Sequence, residues 1–251
     1  MKKTLIAVAL LLTSAWAMAQ TQVIAHRGFW NTEGSAQNSI RALVKADSIQ
    51  AYGSEFDVWM AADGQLVVNH DPSYKGHKIQ TSPSIRLTSL QLANGETLPT
   101  LSAYLNKAQE LNTRLILELK VHNKPEEESE AIQKILKMVD ELGLNERMEY
   151  ISFSLHAVKE FIKNAPKNTP VYYLRGELSP KELKEIGCTG PDYHYKVFKK
   201  NPEWIKECHE LGMKVNAWTV NKEEDMKWLI DRNADFITTN EPILLQKLLK
   251  E

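Results

Sequence analysis

Cysteine is scarce. The 251-residue chain holds two, Cys188 and Cys208, too few for the disulfide framework of a small stapled scaffold and without the spacing of a zinc site. A disulfide between them and two separate buried thiols both fit the sequence. An excess of charge of one sign is missing too: 31 Lys and Arg face 32 Asp and Glu, for a net charge of −1. With no basic cluster, nucleic acid is excluded as a partner. Past residue 19 no apolar run is long enough to cross a bilayer, so no stable membrane insertion is expected. Low-complexity tracts, linkers, short-period repeats and a second composition regime are also lacking, so nothing divides the chain.

What is present begins with a leader. Lys2 and Lys3 make a basic start, Leu5 to Leu12 an apolar run too short to span a membrane, and Ala17-Met18-Ala19 a cleavage signal. A signal peptide over residues 1–19 is therefore expected, with Gln20 as the first mature residue and a secreted or periplasmic protein as the result. Loss of the 19 leaves 232 residues, and without Lys2 and Lys3 the net charge of −1 becomes −3. Residues 20–251 are expected to form one catalytic domain, a size that one-domain α/β barrels reach.

Apolar strand patterns alternate with amphipathic helices along that length. Strands are expected at Gln22 to Ala25, Gly53 to Val58, Leu66 to Asn69, Arg114 to Lys120, Tyr150 to Phe153, Val171 to Leu174, Asp192 to Tyr195, Lys214 to Trp218 and Phe236 to Thr238. Ile132, Ile135, Leu136 and Val139 mark one intervening helix; Ser179-Pro180-Lys181-Glu182 opens another with a capping box. Asn221 and Glu224 are expected to cap a third. Residues 72 to 98 look like an irregular polar excursion. The alternation predicts an α/β fold, a parallel sheet with helices outside. Nine strand-like segments are one more than a (β/α)8 TIM-type barrel holds, so one is a loop or a hairpin arm.

In such a barrel the functional groups sit at the C-terminal ends of the strands. Those ends carry His26 and Arg27, Glu55 and Asp57, His70, Glu118 and Lys120, and Trp218. Glu55 and Asp57 are two apart, as are Glu118 and Lys120, so each pair shares a strand face. Solvated surface charge would not select strand ends so consistently. Three carboxylates suit a hard divalent cation, Mg²⁺ or Ca²⁺, whereas Zn²⁺ would draw more on His and Cys. Two histidines can divide general acid and base work near neutral pH. Arg27 offers a planar fork to a phosphate and Lys120 a point charge. Together these groups point to hydrolysis of a phosphoester.

The motifs His26-Arg27-Gly28, Glu55-x-Asp57, Asp63-Gly64 followed by Val-Val-x-His70-Asp71, Glu118-x-Lys120, and Trp218-Thr219-Val220-Asn221 occur in one order at one set of spacings. In these the chain resembles the glycerophosphodiester phosphodiesterase family from about residue 23 to about residue 242. The resemblance implies a phospholipase C-like phosphodiesterase barrel. It implies a metal held by Glu55, Asp57 and Glu118, a catalytic pair His26 and His70, phosphate contacts from Arg27 and Lys120, and Trp218 near the alcohol portion. It implies hydrolysis of a small-molecule phosphodiester, through a cyclic phosphate, to glycerol 3-phosphate and an alcohol. Two departures stand out. Ala36-Gln37-Asn38-Ser39 replaces the family's Pro-Glu-Asn-Thr, so no ligand is placed at Gln37, and Thr239-Asn240-Glu241-Pro242 replaces Thr-Asp-x-Pro, a tail read as structural. A phospholipase C-like hydrolase of another phosphodiester, such as one of inositol, and a catalytically silent phosphodiester-binding protein are the alternatives. His77, His122, His156 and His209 are expected at the surface, while Phe29, Trp30, Tyr193 and His194 are candidates for the pocket wall.

Overall fold

A computed structural model describes residues 20–251; the leader expected over 1–19 lies outside the described residues. Eleven strands follow in chain order: β1 Gln22–Ala25, β2 Gly53–Met60, β3 Leu66–Val68, β4 Ser73–Tyr74, β5 His77–Lys78, β6 Arg114–Leu119, β7 Met148–Ser152, β8 Val171–Tyr173, β9 Gly190–His194, β10 Asn216–Trp218 and β11 Phe236–Thr239. Eight of them are parallel in the order β1-β11-β10-β9-β8-β7-β6-β2, and pairing of β1 with β2 closes the ring. The result is a TIM-type barrel.

The surplus strand is β3. It returns antiparallel along β2, with Val58 opposite Val68 and Met60 opposite Leu66. Asp63-Gly64 sits in the turn, where Gly64 takes φ +76. The pair is thus a hairpin arm standing on the rim of the barrel.

Period-two alternation sorts the strand residues into two cores. Phe56, Val58, Leu115, Leu117, Tyr150 and Ile237 face outward into the layer under the helices. Ile24, Ile116, Ile151, Tyr172, Leu174 and Phe236 fill the interior. The helices answer with apolar stripes: in Pro125–Glu141, Ala131, Ile132, Ile135 and Val139 are buried. The Ser179–Glu182 capping box forms as its sequence requires.

Two local expectations change and one open alternative is decided. Residues 72–98 are more than an excursion: they hold the β4–β5 hairpin, a 3₁₀ turn and the short helix Ser84–Leu87. They cover a small core of their own, in which Ile79, Leu87, Leu92 and Leu98 pack with Trp59 and Val67. Asn221 caps no helix. The helix Glu223–Ile230 starts behind Lys222 without a side-chain cap, while Asn221 Oδ1 accepts from the Asn240 N–H at 2.9 Å and from Thr239 Oγ1 at 3.2 Å. The cysteines are two free, buried thiols, both pushed up to about 12 by burial.

At the N-terminal end of the barrel the buried charges are paired among themselves. Arg114 Nε donates to Glu149 Oε1 at 2.7 Å and the Tyr52 hydroxyl donates to the same atom at 2.6 Å. Asp235 accepts from Lys214 Nζ at 2.7 Å and from the Val215 N–H at 2.9 Å, with His209 Nε2 2.9 Å away.

Candidate active site

The first motif is a tight turn at the end of β1. Arg27 adopts φ 56 and Gly28 φ +76. A Cβ on residue 28 would lie 2.6 Å from the Ala42 side chain, so only glycine fits. The turn aims the Arg27 N–H at Glu55 Oε2, 2.7 Å away, and turns His26 over the barrel mouth. His26 Nδ1 lies 2.8 Å from Asn240 Oδ1, which also accepts from Trp30 Nε1 at 3.2 Å. Indole N–H only donates, so that atom of Asn240 is its oxygen and His26 carries its proton on Nδ1. His26 Nε2 is left free, 3.9 Å from Glu55 Oε2. Burial, then the Arg27 charge, pushes His26 down to about 4, so it is neutral at pH 7.

Alternation along β2 points Glu55 and Asp57 inward, and the β2–β6 register sets Glu118 beside Asp57. All three are buried, and ligand oxygens from the three lie within 4.8 Å of one another. Lys120 Nζ is 2.7 Å from Glu118 Oε1 and 3.1 Å from Asp57 Oδ1; Arg27 Nε is 3.7 Å from Asp57 Oδ2. Burial and the neighbouring charges of Asp57 and Glu118 hold the Glu55 carboxyl well above the usual range. Glu118 is raised by burial and by Asp57. For Asp57 burial acts in the same sense, but Lys120 and the other donors outweigh it and the net shift is downward. Glu55 Oε1 is buried with no hydrogen-bond partner among the described residues. Oxygen-only donors, mutual repulsion and an orphaned carboxylate oxygen together fit a divalent cation.

His70 arrives on the hairpin arm rather than on a barrel strand. The Asn69 N–H donates to the Asp57 carbonyl at 3.0 Å, which brings the end of β3 down to the acids. His70 Nδ1 is 2.7 Å from Asp71 Oδ1. Burial leaves its imidazole below the ordinary value, although Asp57 opposes the shift.

Six of the eight predicted residues, His26, Arg27, Glu55, His70, Glu118 and Trp218, line one cavity of about 190 Å³. Asp57 and Lys120 stand behind that wall, paired to each other. Trp218 donates Nε1–H to the Asp192 carbonyl at 2.9 Å and packs edge-on against Phe153. A second, more open cavity of about 680 Å³ adjoins at Arg27 and His70 and is walled by Trp30, Gln37 and Tyr74.

Four residues at the site escaped the sequence reading. Asn38 Nδ2 donates to Asp57 Oδ2 at 2.8 Å while its Oδ1 accepts from the Asp57 N–H at 3.1 Å, a two-point clamp. It takes a φ of 60, unusual for a residue with a Cβ but tolerated by asparagine. Asn240, read as structural tail, orients His26. His122, expected at the surface, is buried: its Nε2 accepts from the Met60 N–H at 3.0 Å and its Nδ1 lies 2.7 Å from the Lys120 carbonyl. Asp192 faces the small cavity, whereas its neighbour Tyr193 turns outward and donates to the Leu178 carbonyl at 2.9 Å. Phe29 likewise turns away from the cavities, toward Ala46 and Ala51.

A profile of the glycerophosphoryl diester phosphodiesterase family matches residues 26–244. A glycerophosphodiester phosphodiesterase of Caldanaerobacter subterraneus is 28% identical over 247 residues, covering 92% of this chain and 99% of that one. A crystal structure of a glycerophosphodiester phosphodiesterase from Parabacteroides distasonis is 53% identical, with a TM-score of 0.91 over 92% of this chain and 98% of that one. The fold is also shared, at 23% identity and a TM-score of 0.77, with an Oleispira antarctica phosphodiesterase in complex with the product sn-glycerol-3-phosphate, over 92% of this chain and 98% of that one. A match running from the His26 turn to the helix behind β11, over a barrel whose rim gathers the acids and imidazoles of five motifs, leaves one conclusion: the chain belongs to the glycerophosphoryl diester phosphodiesterase family.

Proposed function

We propose that this rim hydrolyses glycerophosphodiesters to glycerol 3-phosphate and an alcohol, the phosphoric diester hydrolysis of its family. The observation that carries the reading is the gathering of three buried carboxylates from β2 and β6 with two imidazoles from other segments at one barrel mouth. Glu55, Asp57 and Glu118 would hold one divalent cation, Mg²⁺ or Ca²⁺. When bound, it supplies positive charge against the phosphoryl oxygens and offsets the repulsion among the three acids.

The remaining chemistry belongs to the side chains. Arg27 and the free N–H capacity of Lys120 orient the phosphate. His26 Nε2, neutral and held by Asn240, takes the proton of the substrate hydroxyl next to the phosphoester as that oxygen attacks phosphorus. His70 gives a proton to the departing alcohol oxygen, leaving a cyclic phosphate. In the second half the roles exchange: His70 takes a proton from water as it opens the ring, and His26 returns its proton to the hydroxyl oxygen. Trp218, expected near the alcohol portion, walls the small cavity with Phe153 and Leu174, so we place it on the glycerol side.

Purified protein should release glycerol 3-phosphate from glycerophosphocholine, lose that activity on EDTA treatment and regain it with Mg²⁺ or Ca²⁺. Undiminished turnover after chelation and dialysis removes the cation from the account. Cleavage of phosphoinositol diesters alone reassigns the substrate, and tight binding without product makes the protein a binder. The leader motif supports export of a mature domain starting at Gln20, which N-terminal sequencing of the processed protein checks.

A further inference from the structure

The small cavity contains one charged group that the reaction above leaves unused. Asp192 is buried at 2% exposure, lines the cavity, and has an Oδ1 with no hydrogen-bond partner among the described residues. Its backbone carbonyl is occupied by the Trp218 indole. Asn216, its partner in register on β10, sends its amide to Thr238 Oγ1 at 3.0 Å, and its contact with the Asp192 carboxyl leaves Oδ1 unsatisfied. An orphaned buried carboxyl is costly unless something arrives to satisfy it.

Its position says what arrives. In the closed ring β9 is four strands from β2 in either direction, so Asp192 stands across the mouth from Glu55 and Asp57. A phosphate held at the β2 side projects the rest of its inner substituent toward Asp192. That path is walled by Phe153, Leu174 and Trp218, surfaces for carbon-bound hydrogens; Asp192 is the acid on its far side, beside the threonines Thr219 and Thr238. The space is about 190 Å³, against about 680 Å³ for the open cavity beyond Arg27. The small, constant glycerol unit suits the former and the variable alcohol the latter. Under the cyclic-phosphate route the glycerol C2 hydroxyl is committed to phosphorus, which leaves the terminal hydroxyl free.

We propose that Asp192 is the specificity residue of this site, hydrogen-bonding the terminal hydroxyl of the glycerol unit and so selecting glycerol diesters over diesters of vicinal diols that lack it. The inference rests on the glycerophosphodiesterase reading. Burial, with a contribution from Glu118, keeps the Asp192 carboxyl well above the usual range. A protonated carboxyl offers one donor and one acceptor, the complement of an alcohol.

The test compares kcat/KM for glycerophosphocholine with that for 1,2-propanediol phosphocholine, which keeps the attacking hydroxyl and has methyl in place of the terminal CH₂OH. Wild-type protein should prefer the glycerol diester by at least about tenfold, the scale of a hydrogen bond to a buried polar group. Asp192→Leu should bring the ratio to within about threefold of one, and Asp192→Asn, which keeps shape and hydrogen-bonding capacity, should retain part of it. Calorimetric binding of glycerol 3-phosphate against 1,2-propanediol phosphate should show the same ordering without turnover. A wild-type ratio near one overturns the proposal. So does a leucine variant that loses both substrates by the same factor, for then Asp192 only shapes the barrel. Should leucine prevent folding, the isosteric asparagine decides: an undiminished binding ratio overturns the proposal. Failure of the family reaction itself shows earlier and separately, as wild-type protein that hydrolyses neither diester.

Discussion

The two ends of the barrel treat their carboxylates in opposite ways. At the N-terminal end, Glu149 is matched by Arg114 and Tyr52, and Asp235 by Lys214, His209 and a backbone N–H. At the C-terminal end, Glu55 keeps an unpartnered oxygen, Asp192 another, and three carboxylates share one lysine and part of one arginine. Charges that satisfy each other hold a fold together. Charges left wanting a partner prepare a place for a ligand, at some cost in stability.

The strongest test removes an imidazole from the incomplete end. His26→Ala or His70→Ala should lower kcat by about 10²–10⁴ with little change in melting temperature; normal turnover in either variant would take that histidine out of the reaction. The complementary change at the satisfied end is Arg114→Met. It strands Glu149 in the interior and should cost about 3 kcal/mol in chemical denaturation, with kcat of the folded fraction retained. Equal losses of stability from His26→Ala and Arg114→Met would erase the distinction between the ends. Asn38→Ala, which loosens Asp57 without touching substrate, should weaken metal affinity by about 10- to 100-fold, read as a rise in the half-saturating Mg²⁺ or Ca²⁺ concentration.

The smallest effect is one of sign. Burial alone would raise Asp235, but His209, Lys214 and Val215 outweigh it and hold the carboxyl below its ordinary value. Its stabilisation is therefore present above the unfolded pKa of about 3.9 and fades as pH falls through the lower folded value. Glu55 and Glu118 are shifted up, so in chelated protein the opposite holds. The folded state binds their protons more readily than the unfolded chain, and stability should rise as pH falls through their folded values toward about 4.3. Melting temperatures of chelated and cation-loaded protein between about pH 8 and about pH 5 should differ in slope; parallel curves would contradict the uncompensated state of the rim.

How much of this was legible from the chain depends on which residue is asked about. Glu55-x-Asp57 and Glu118-x-Lys120 declared themselves because a strand turns every second side chain the same way, so charges repeated at that interval share one face. The barrel followed from strand-helix alternation, and the ninth strand announced itself as one too many, though only the β2–β3 register shows it to be an arm. Asp192 was missed because a short strand offers no way to tell which of two neighbours looks inward; attention went to Tyr193, one residue away and on the wrong face. His122 was missed because its partners are the Met60 N–H and the Lys120 carbonyl, main-chain atoms that no motif records. Asn240 and Asn221 looked like a tail and a cap because their connection joins two loops, and contacts of that kind exist only after folding.

The hairpin arm has a consequence for how the protein fails. One imidazole is rooted in the barrel wall; the other sits where the arm, anchored in the main core by Leu66 and Val68, passes into residues 72–98, an appendage with a small core of its own built on Trp59, Val67, Ile79 and a few leucines. Such an appendage opens at a lower free energy than the ring beneath it. On warming, turnover should vanish while the eight-stranded wall is still intact, and cooling from that interval should bring it back. Working temperature and melting temperature are then separate properties of this chain, the first answering to changes in residues 72–98 and the second to changes in the ring.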